Sequence, residues 1–365
     1  MEKTLDCKKK DGVNGVRVYI ISWSTHRQCT ERPIGHPAQF RCPLVHRHQR
    51  RRGSAGKAGP GGLAPPTGQA HHPSIERQQP AINVKLILTS DLNQRIEKWG
   101  DLVSAVRADK PRFVLIAGNL LPKLDSFKGR KAFFAEMGQH FRAMKAAGPV
   151  TVLTYLGNDD AHVLEPQLAK LEAAGLCVNL NGRVHREEGL VFCGMNRVRD
   201  HPLGYKHWCA RDGDYVACPQ QFCGVGLTLD KDGNFVWLDN LLTYLSAKPS
   251  LGEELSRVKE QLRPGEVERS VWMVHQPPSG LGMDICEGGR QVGSPTVLKF
   301  IEDHQPLLGC SGQVHESPYQ SGGNWMARVG RTVWVQPGQM GDRLHYACVE
   351  LGGGLEVMGV RHSMF

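Results

Sequence analysis

Apolar residues occur in short blocks that alternate with amphipathic stretches from about residue 82 onward. The runs INVKLILTSD (82–91), RFVLIAGN (112–119) and VTVLTYLGND (150–159) are apolar blocks that end in polar turns, as buried strands do. The stretches 96–108 and 130–148 instead carry apolar residues at helical spacing. Because strand–helix alternation at this spacing is typical of βαβ units, the pattern predicts an α/β fold whose sheets are covered on both faces.

The second half of the chain is richer in strand patterns. A capping box formed by Ser250 and Glu253 begins the helix predicted at 250–262, and a proline lies near the start of the helix predicted at 294–304. The other predicted elements are a helix at 166–175 and strands at LCVNLN, LVFCGM, GVGLTLD, NFVWLD, 270–278, 307–310, 331–338 and 346–351. This uninterrupted series predicts one domain over residues 82–365.

The front of the chain has a different composition. The segment 46–73 is rich in Arg, Gly, Pro and His and has no apolar periodicity, so it cannot bury enough surface to offset the entropy of ordering. Residues 1–80 hold 14 Lys and Arg against 5 Asp and Glu, which accounts for the whole net charge of +9. We therefore predict that residues 1–81 are a disordered basic extension. A nucleic-acid-binding or organelle-targeting arm is the alternative, disfavoured by the scarcity of aromatic residues for base stacking.

Cysteine usage and hydropathy bear on the compartment. The eleven cysteines are an odd number and lie mostly in apolar runs, which is typical of buried thiols in a reducing environment. Apolar runs of the roughly 18 residues that a membrane helix needs do not occur in the sequence. The sequence therefore predicts a cytoplasmic protein without a membrane span.

Polar residues follow the strong strands at their C-terminal ends. These residues are Asp91, Asn93, Asn119, Asn158, Asp159, His275, Gln313 and His315. In open α/β sheets, ligand sites collect at the carboxyl ends of the strands. Oxygen and nitrogen groups of Asp, Asn and His suit divalent Mn, Fe, Zn or Mg, so this edge is a candidate metal site.

In order and spacing, these stretches resemble the motifs of the calcineurin-like metallophosphoesterases. The pattern of that family is D-x-H, G-D, G-N-H-D, a lone His and G-H-x-H. The matching stretches here are SDLN (90–93), AGNL (117–120), LGNDD (156–160), VHQP (274–277) and SGQVHES (311–317). The resemblance covers about residues 84–351 and is strongest to the small bacterial branch of cyclic-nucleotide-phosphodiesterase-like members.

This resemblance implies a fold and a metal centre. The implied fold is a four-layer α-β-β-α sandwich of two mixed sheets flanked by helices. The implied centre holds two divalent cations that clamp a phosphate between them. Asp91 matches the family's first-metal carboxylate, Asn158 and His275 match second-metal ligands, and His315 matches the histidine that returns to the first metal.

Three ligand positions carry amides instead of the family's residues. Asn93 and Gln313 stand where the family has histidines, and Asn119 stands where it has the aspartate that bridges both ions. A neutral amide offers one carbonyl oxygen and no charge, so binding of a second ion should suffer most. We expect one firmly held or two weakly held divalent ions at this site.

The resemblance also suggests residues for catalysis and substrate binding. Asp159 replaces the histidine with which the family assists the leaving group, and it restores one negative charge beside Asn158. Cations nearby would make it a poor proton donor at neutral pH, so His162 is the candidate replacement acid, with a plain surface histidine as the alternative. Arg197 and Arg199 lie where the family places substrate-facing loops, and they are candidates to contact a phosphate.

Two functions are compatible with these residues. The first is a metal-dependent phosphoester hydrolase in which a metal-activated water attacks phosphorus. Its substrate would be a phosphorylated small molecule or a phosphodiester, and nucleic acid would bind only through the basic extension. The alternative is a catalytically inactive pseudo-phosphoesterase that keeps the fold and binds a partner as a scaffold.

Overall fold

The described strands and helices form two large sheets, two small ones and the helices that flank them. In this computed structural model the described residues are 3–11, 17–25, 83–123, 127–199, 205–213, 226–230, 232, 234–238 and 240–365. The strands are β1 (Lys3–Asp11), β2 (Arg17–Thr25), β3 (Val84–Thr89), β4 (Phe113–Ile116), β5 (Thr151–Thr154), β6 (Val178–Asn179), β7 (Val184–Glu187), β8 (Leu190–Met195), β9 (Gly226–Leu229), β10 (Phe235–Leu238), β11 (Ser270–Val274), β12 (Leu308–Cys310), β13 (Met326–Val329), β14 (Thr332–Val335), β15 (Ala347–Leu351) and β16 (Val357–His362). The helices are α1 (Glu97–Asp109), α2 (Phe127–Ala146), α3 (Glu165–Ala173), α4 (Leu241–Ser246), α5 (Leu251–Lys259) and α6 (Pro295–His304).

The chain divides into two compact units, Met1–Pro73 and Ser74–Phe365. In the first unit, β1 and β2 pair antiparallel along their whole length. The rest of the 1–81 segment lies outside the described residues, so its disorder stays a prediction.

The first large sheet has the strand order β16-β15-β3-β4-β5-β6. Strands β3 to β6 run parallel, with Leu86 opposite Phe113 and Leu115 opposite Leu153. Strands β15 and β16 are added antiparallel at one edge. The helices α1 and α2 connect the parallel strands, as the alternating sequence pattern predicts.

The second large sheet has the order β13-β14-β12-β11-β8-β7. Its four central strands run parallel, and the edge strands β13 and β7 run antiparallel to their neighbours. Both sheets are therefore mixed, which confirms the predicted architecture. A separate two-stranded ribbon, β9–β10, lies in the connection between β8 and β11.

Three apolar layers stabilise the sandwich. Successive side chains of β3 lie alternately in two of them. Leu86 and Leu88 are buried between the two sheets with residues such as Phe192, whereas Ile87 is buried under the helices with Trp99. Strand residues project alternately to opposite faces, so a strand covered on both faces must be apolar at every position. A third layer covers the other face of the second sheet, where α5 and α6 pack on it.

Within residues 82–365, the strands that the sequence patterns did not predict lie at the edges of the two large sheets. The strands β7, β13 and β16 and the short helix α4 were not predicted, and the last strand of the chain is β16 rather than the one predicted at 346–351. β13 and β16 bury at most alternate residues, so their apolar signal is weak. Among the described residues, helices are too short or too polar to cross a membrane.

Candidate functional site

The carboxyl ends of the parallel strands bring seven of the predicted site residues together. They are Asp91 and Asn93 after β3, Asn119 after β4, Asn158 after β5, His275 after β11, and Gln313 and His315 after β12. Contacts join the two sheets here. His275 Nε2 lies 2.7 Å from Asn158 Oδ1, and the Gln313 backbone N–H donates to Asp91 Oδ2 at 3.0 Å. Five motifs in family order thus meet at one rim of a four-layer sandwich.

The chain has a layered α/β fold in which two mixed six-stranded sheets are flanked by helices.

The backbone at this centre is unusual in three of the loops. Asp91, Asn119 and Gln313 have φ values of 58°, 56° and 70°, in the left-handed region that non-glycine residues rarely adopt. Such strain persists where the surrounding structure fixes the loop. Gly118, with φ +87°, allows a close approach, because a Cβ there would lie 2.9 Å from His275 Nδ1.

Asn119, at the position of the bridging aspartate, has a single favourable side-chain orientation. Its Oδ1 accepts the backbone N–H of Asp159 at 2.9 Å, and its Nδ2 donates to Asp91 Oδ1 at 2.7 Å and to Asn158 Oδ1 at 3.1 Å. Turning the amide over would face N–H against N–H and oxygen against oxygen. The bridging position therefore presents a hydrogen-bond donor, which has no lone pair for a cation.

The Asp159 carboxylate binds the side-chain amides of the other two asparagines of the centre, Asn93 and Asn158. Its carboxylate accepts Asn93 Nδ2 at 2.8 Å and Asn158 Nδ2 at 3.0 Å, and Lys123 Nζ lies 3.5 Å from the same oxygen as Asn93. Its side chain is only 13% exposed. Asp159, which stands where the family has its leaving-group histidine, is thus the acceptor of an internal network, and a catalytic role for it stays a prediction.

Neighbouring groups of the chain favour the ionised form of the Asp91 carboxyl. It is buried, which by itself raises a carboxyl pKa, but His315 and His275 nearby hold the pKa of Asp91 well below its usual value. His315 Nε2 lies 3.4 Å from Asp91 Oδ1, and this carboxylate raises the pKa of His315 against the opposing effect of burial. The charge of Asp91 is therefore balanced by protein groups.

The donor set does not fit a pair of bridged cations. The described residues contain no group of three or more His, Cys, Asp or Glu side chains arranged to hold a metal ion. Two side-chain oxygens of these residues are buried without a partner in the described part of the chain: Asn93 Oδ1 and Gln313 Oε1. These two atoms could receive a donor or a single cation, whereas the bridging position could not.

His162 lies beside the centre in a histidine cluster. Its ring packs against His207 at 5.2 Å and against Trp208 at 6.3 Å between centroids. Burial, with Lys248 and Arg197 nearby, lowers the pKa of His162. The ring is thus neutral near neutral pH, which does not suit a general acid, although its predicted role remains untested.

The two predicted substrate arginines make contacts within the chain. Arg197 donates to the backbone oxygen of His207 at 3.1 Å, pairs with Glu254 at 3.7 Å and stacks on Trp208. Arg199 pairs with Asp212 at 3.1 Å and also donates to the backbone oxygen of Gly293. Binding of a phosphate by either residue stays a prediction, because each guanidinium already has partners.

Three charged residues near the centre were not predicted. Asp160 is buried and accepts backbone N–H groups from three residues, and burial raises the pKa of Asp160 to about 7. Lys98 is fully buried, donates to Gln339 Oε1 at 2.9 Å, and burial lowers the pKa of Lys98 to about 8 despite Asp91 nearby. Lys123, in the loop after β4, has an exposed side chain beside Asp159. Only Asp160 had a sequence signal, as the last residue of the matched LGNDD stretch.

Comparison with solved structures gives neighbours at low identity. TT1561 of Thermus thermophilus is 14% identical with a TM-score of 0.46, over 77% of this chain and 99% of that chain. A novel archaeal phosphodiesterase is 9% identical with a TM-score of 0.34, over 76% and 98%. GAP50, the anchor in the inner membrane complex of Plasmodium, is 12% identical with a TM-score of 0.34, over 76% and 88%. No protein-family model matches the chain, and no curated protein matches it.

Proposed function

We propose that the chain is a metallophosphoesterase-fold protein whose centre binds a ligand and does not hydrolyse phosphoesters by the two-metal mechanism. The observation that carries this proposal is the orientation of Asn119. Its amide nitrogen occupies the space between Asp91 and Asn158, and the Asp159 backbone N–H fixes it there. A hydrogen-bonded network thus takes the place of the shared anion.

Electrostatics support this proposal. Two divalent ions about 4 Å apart repel each other by roughly 17 kcal/mol at an effective dielectric constant of about 20. A bridging carboxylate offsets part of that repulsion, and Asn119 adds no charge. The centre has two carboxylates, Asp91 and Asp159, and both already accept hydrogen bonds from the chain. These hydrogen bonds already stabilise part of the charge of both carboxylates, which weakens their attraction for two ions.

A metal-dependent hydrolase with a single ion is the second candidate function. It is favoured by the unpartnered oxygens of Asn93 and Gln313, seen within the described residues, which lie in loops beside Asp91. Asp91, Asn93 and His315 would be the residues nearest to such an ion by the family pattern. A bound ion would supply Lewis acidity toward a phosphate oxygen.

Turnover by the full-length chain distinguishes these functions. The substrates are bis-p-nitrophenyl phosphate and p-nitrophenyl phosphate, each assayed with Mn²⁺ and with EDTA. The matched control is Asp91→Ala, which removes the one carboxylate common to both candidates and reports contaminating phosphatases. We expect the two proteins to release nitrophenol at the same rate. Mn²⁺-dependent turnover that Asp91→Ala abolishes would establish the hydrolase instead.

A further inference from the structure

The strand β13 forms the outer edge of the second large sheet. Among the described residues, its one neighbour in that sheet is β14, with which it pairs antiparallel. The Gln336 backbone N–H donates to the Trp325 backbone oxygen at 2.7 Å, so these two residues are a hydrogen-bonded pair of the ladder. Because such pairs alternate with non-bonded ones in an antiparallel sheet, the backbone groups of Met326 and Arg328 point away from β14. This edge therefore presents backbone donors and acceptors to a further strand.

A cavity of about 500 Å³ lies beside this edge. Ala327 of β13 lines it, and Leu281 and Ile285 contribute apolar surface from the loop after β11. Gln291 and Asn324 contribute amides, and the residues that line the cavity are uncharged. Since alanine is small and directly opposed side chains of a sheet lie close together, a residue placed opposite Ala327 would extend its side chain into the cavity.

Hydrogen bonds hold the loop after β11 beside the segment that leads into β13. The Asn324 backbone N–H donates to the Gly282 backbone oxygen at 2.8 Å. Ser317 Oγ donates to the same oxygen at 2.9 Å and accepts the Ile285 backbone N–H at 3.0 Å. A partner would therefore meet a groove that is already formed, and it would not have to order this loop on binding.

The charge at this edge distinguishes between partners. Residues 321–341 contain two arginines, Arg328 and Arg331, and no acidic residue. Arg328 is exposed, and its guanidinium lies 3.5 Å from the Arg331 backbone oxygen, which is longer than an ordinary hydrogen bond. A carboxylate placed opposite Arg328 would stabilise an added strand, whereas a second copy of β13 would bring two more arginines to the same edge. Charge complementarity thus favours an acidic partner.

We propose that β13 binds an extended acidic peptide of a partner protein as an added antiparallel strand. A carboxylate of the peptide would lie opposite Arg328, and the apolar side chain next to it would enter the cavity beside Ala327. The peptide backbone would exchange hydrogen bonds with Met326 and Arg328. Residues of the strand-end centre take no part, so this surface is independent of what the centre binds.

Calorimetric titration of the full-length protein with the capped peptide acetyl-Thr-Leu-Glu-Leu-Thr-amide tests the proposal. With its glutamate opposite Arg328, the glutamate N–H faces β13 and the N–H of the second leucine faces away. N-methylation of the glutamate should therefore weaken binding about tenfold, as loss of a backbone hydrogen bond does. N-methylation of the second leucine is the matched control and should change the affinity less than about threefold.

Two pairs of variants test the contacts from the side of the protein. Met326→Pro removes an N–H from the outer edge of β13 and leaves the bonds to β14 in place, whereas Met326→Ala keeps that N–H. We expect the proline to weaken peptide binding about tenfold and the alanine less than about threefold.

The second pair reverses charge at two positions of the same hairpin. Arg328→Glu should weaken binding of the glutamate peptide about tenfold and should bind acetyl-Thr-Leu-Lys-Leu-Thr-amide more tightly than the parent does. Arg331→Glu makes the same change of charge in the turn and should alter the affinity less than about threefold. Urea midpoints of all four variants establish that they are folded.

Four results would overturn the proposal. Equal affinity of the two N-methylated peptides would exclude pairing with the backbone of β13. Equal effects of Arg328→Glu and Arg331→Glu would reduce the contact to general attraction between charges. Absence of binding at about 1 mM peptide would remove the proposed ligand. A dimer of the parent in sedimentation, lost in Met326→Pro, would assign the edge to a second copy of the chain instead.

Discussion

The two sides of the centre use their polar side chains differently. On the side of the first sheet, Asn93, Asn119 and Asn158 all donate their amide hydrogens to neighbouring oxygens of the centre. On the side of the second sheet, the Oε1 of Gln313 has no partner within the described residues; on the first side only one amide oxygen, Asn93 Oδ1, is left in the same state. An amide at a ligand position can therefore close a site or leave it open, depending on which neighbour fixes it.

The two sides of the centre should therefore differ in how much their amides contribute to stability. The first-sheet side holds its loops in place by internal hydrogen bonds, so its amides should matter for stability. Gln313 Oε1 on the second-sheet side and Asn93 Oδ1 on the first are the site oxygens that have no partner within the described residues and can meet a ligand. Comparing paired variants tests whether the amides contribute to stability as this difference predicts.

The largest effect is expected from a matched pair of glycine substitutions. Asn119→Gly and Gln313→Gly relieve the same kind of left-handed backbone, so the backbone contribution largely cancels. Asn119→Gly also loses three hydrogen bonds, including one to a buried carboxylate, so it should be less stable than Gln313→Gly by about 3 kcal/mol. Urea denaturation measures the difference. Equal stabilities would mean that the Asn119 network contributes nothing.

Asp159 should matter more than its exposed partner. Asp159→Ala leaves the amide N–H groups of Asn93 and Asn158 without their acceptor, which should reduce the free energy of unfolding by about 2 kcal/mol. Lys123→Ala removes only a half-exposed pair and should cost less than about 1 kcal/mol. The urea midpoints of the two variants test this order, and the reverse order would contradict the internal role of Asp159.

A comparable effect is expected on the pH dependence of stability. His207 is 4% exposed, donates toward the Asp160 backbone oxygen, and burial lowers the pKa of His207 to about 4. The unfolded chain binds this proton at a pKa near 6.5, so stability is complete above about pH 6.5 and is lost as the pH falls toward 4, by on the order of 3 kcal/mol. Lys248, His162 and Asp159 also act on this ring.

The variant His207→Gln isolates that contribution, because glutamine can still donate to the same oxygen. Its stability should fall less steeply than that of the parent between about pH 6.5 and 4, as measured by urea unfolding at several pH values. Parallel curves for the two proteins would show that the ring does not titrate differently on folding.

The fold could be predicted from the sequence because both sheets are buried on both faces. Runs such as the one around Leu86–Leu88 are apolar at every position, which leaves little freedom of interpretation. Edge strands such as β16 were not predicted because they bury few residues. The residues of the centre could be predicted from their motifs, since each lies directly after a strand.

The chemistry of the centre could be predicted only in part. The sequence shows an amide at position 119, but its direction depends on the Asp159 backbone N–H, a contact that only the folded loops create. Likewise, Arg199 reads as a free cation until Asp212 is placed beside it. Contacts between distant segments decide whether a polar residue is available to a ligand.

Binding of Mn²⁺ to the full-length parent chain and to Asn119→Asp, measured by calorimetry and by metal content after dialysis, tests the central claim most directly. Aspartate would place an oxygen, without hydrogen, against the oxygens of Asp91 and Asn158, and a cation would then be needed between them. We predict that the parent retains no second ion and that Asn119→Asp binds Mn²⁺ at least about tenfold more tightly, as expected for an added anionic ligand. Two tightly bound ions in the parent, with no gain in the variant, would contradict the account.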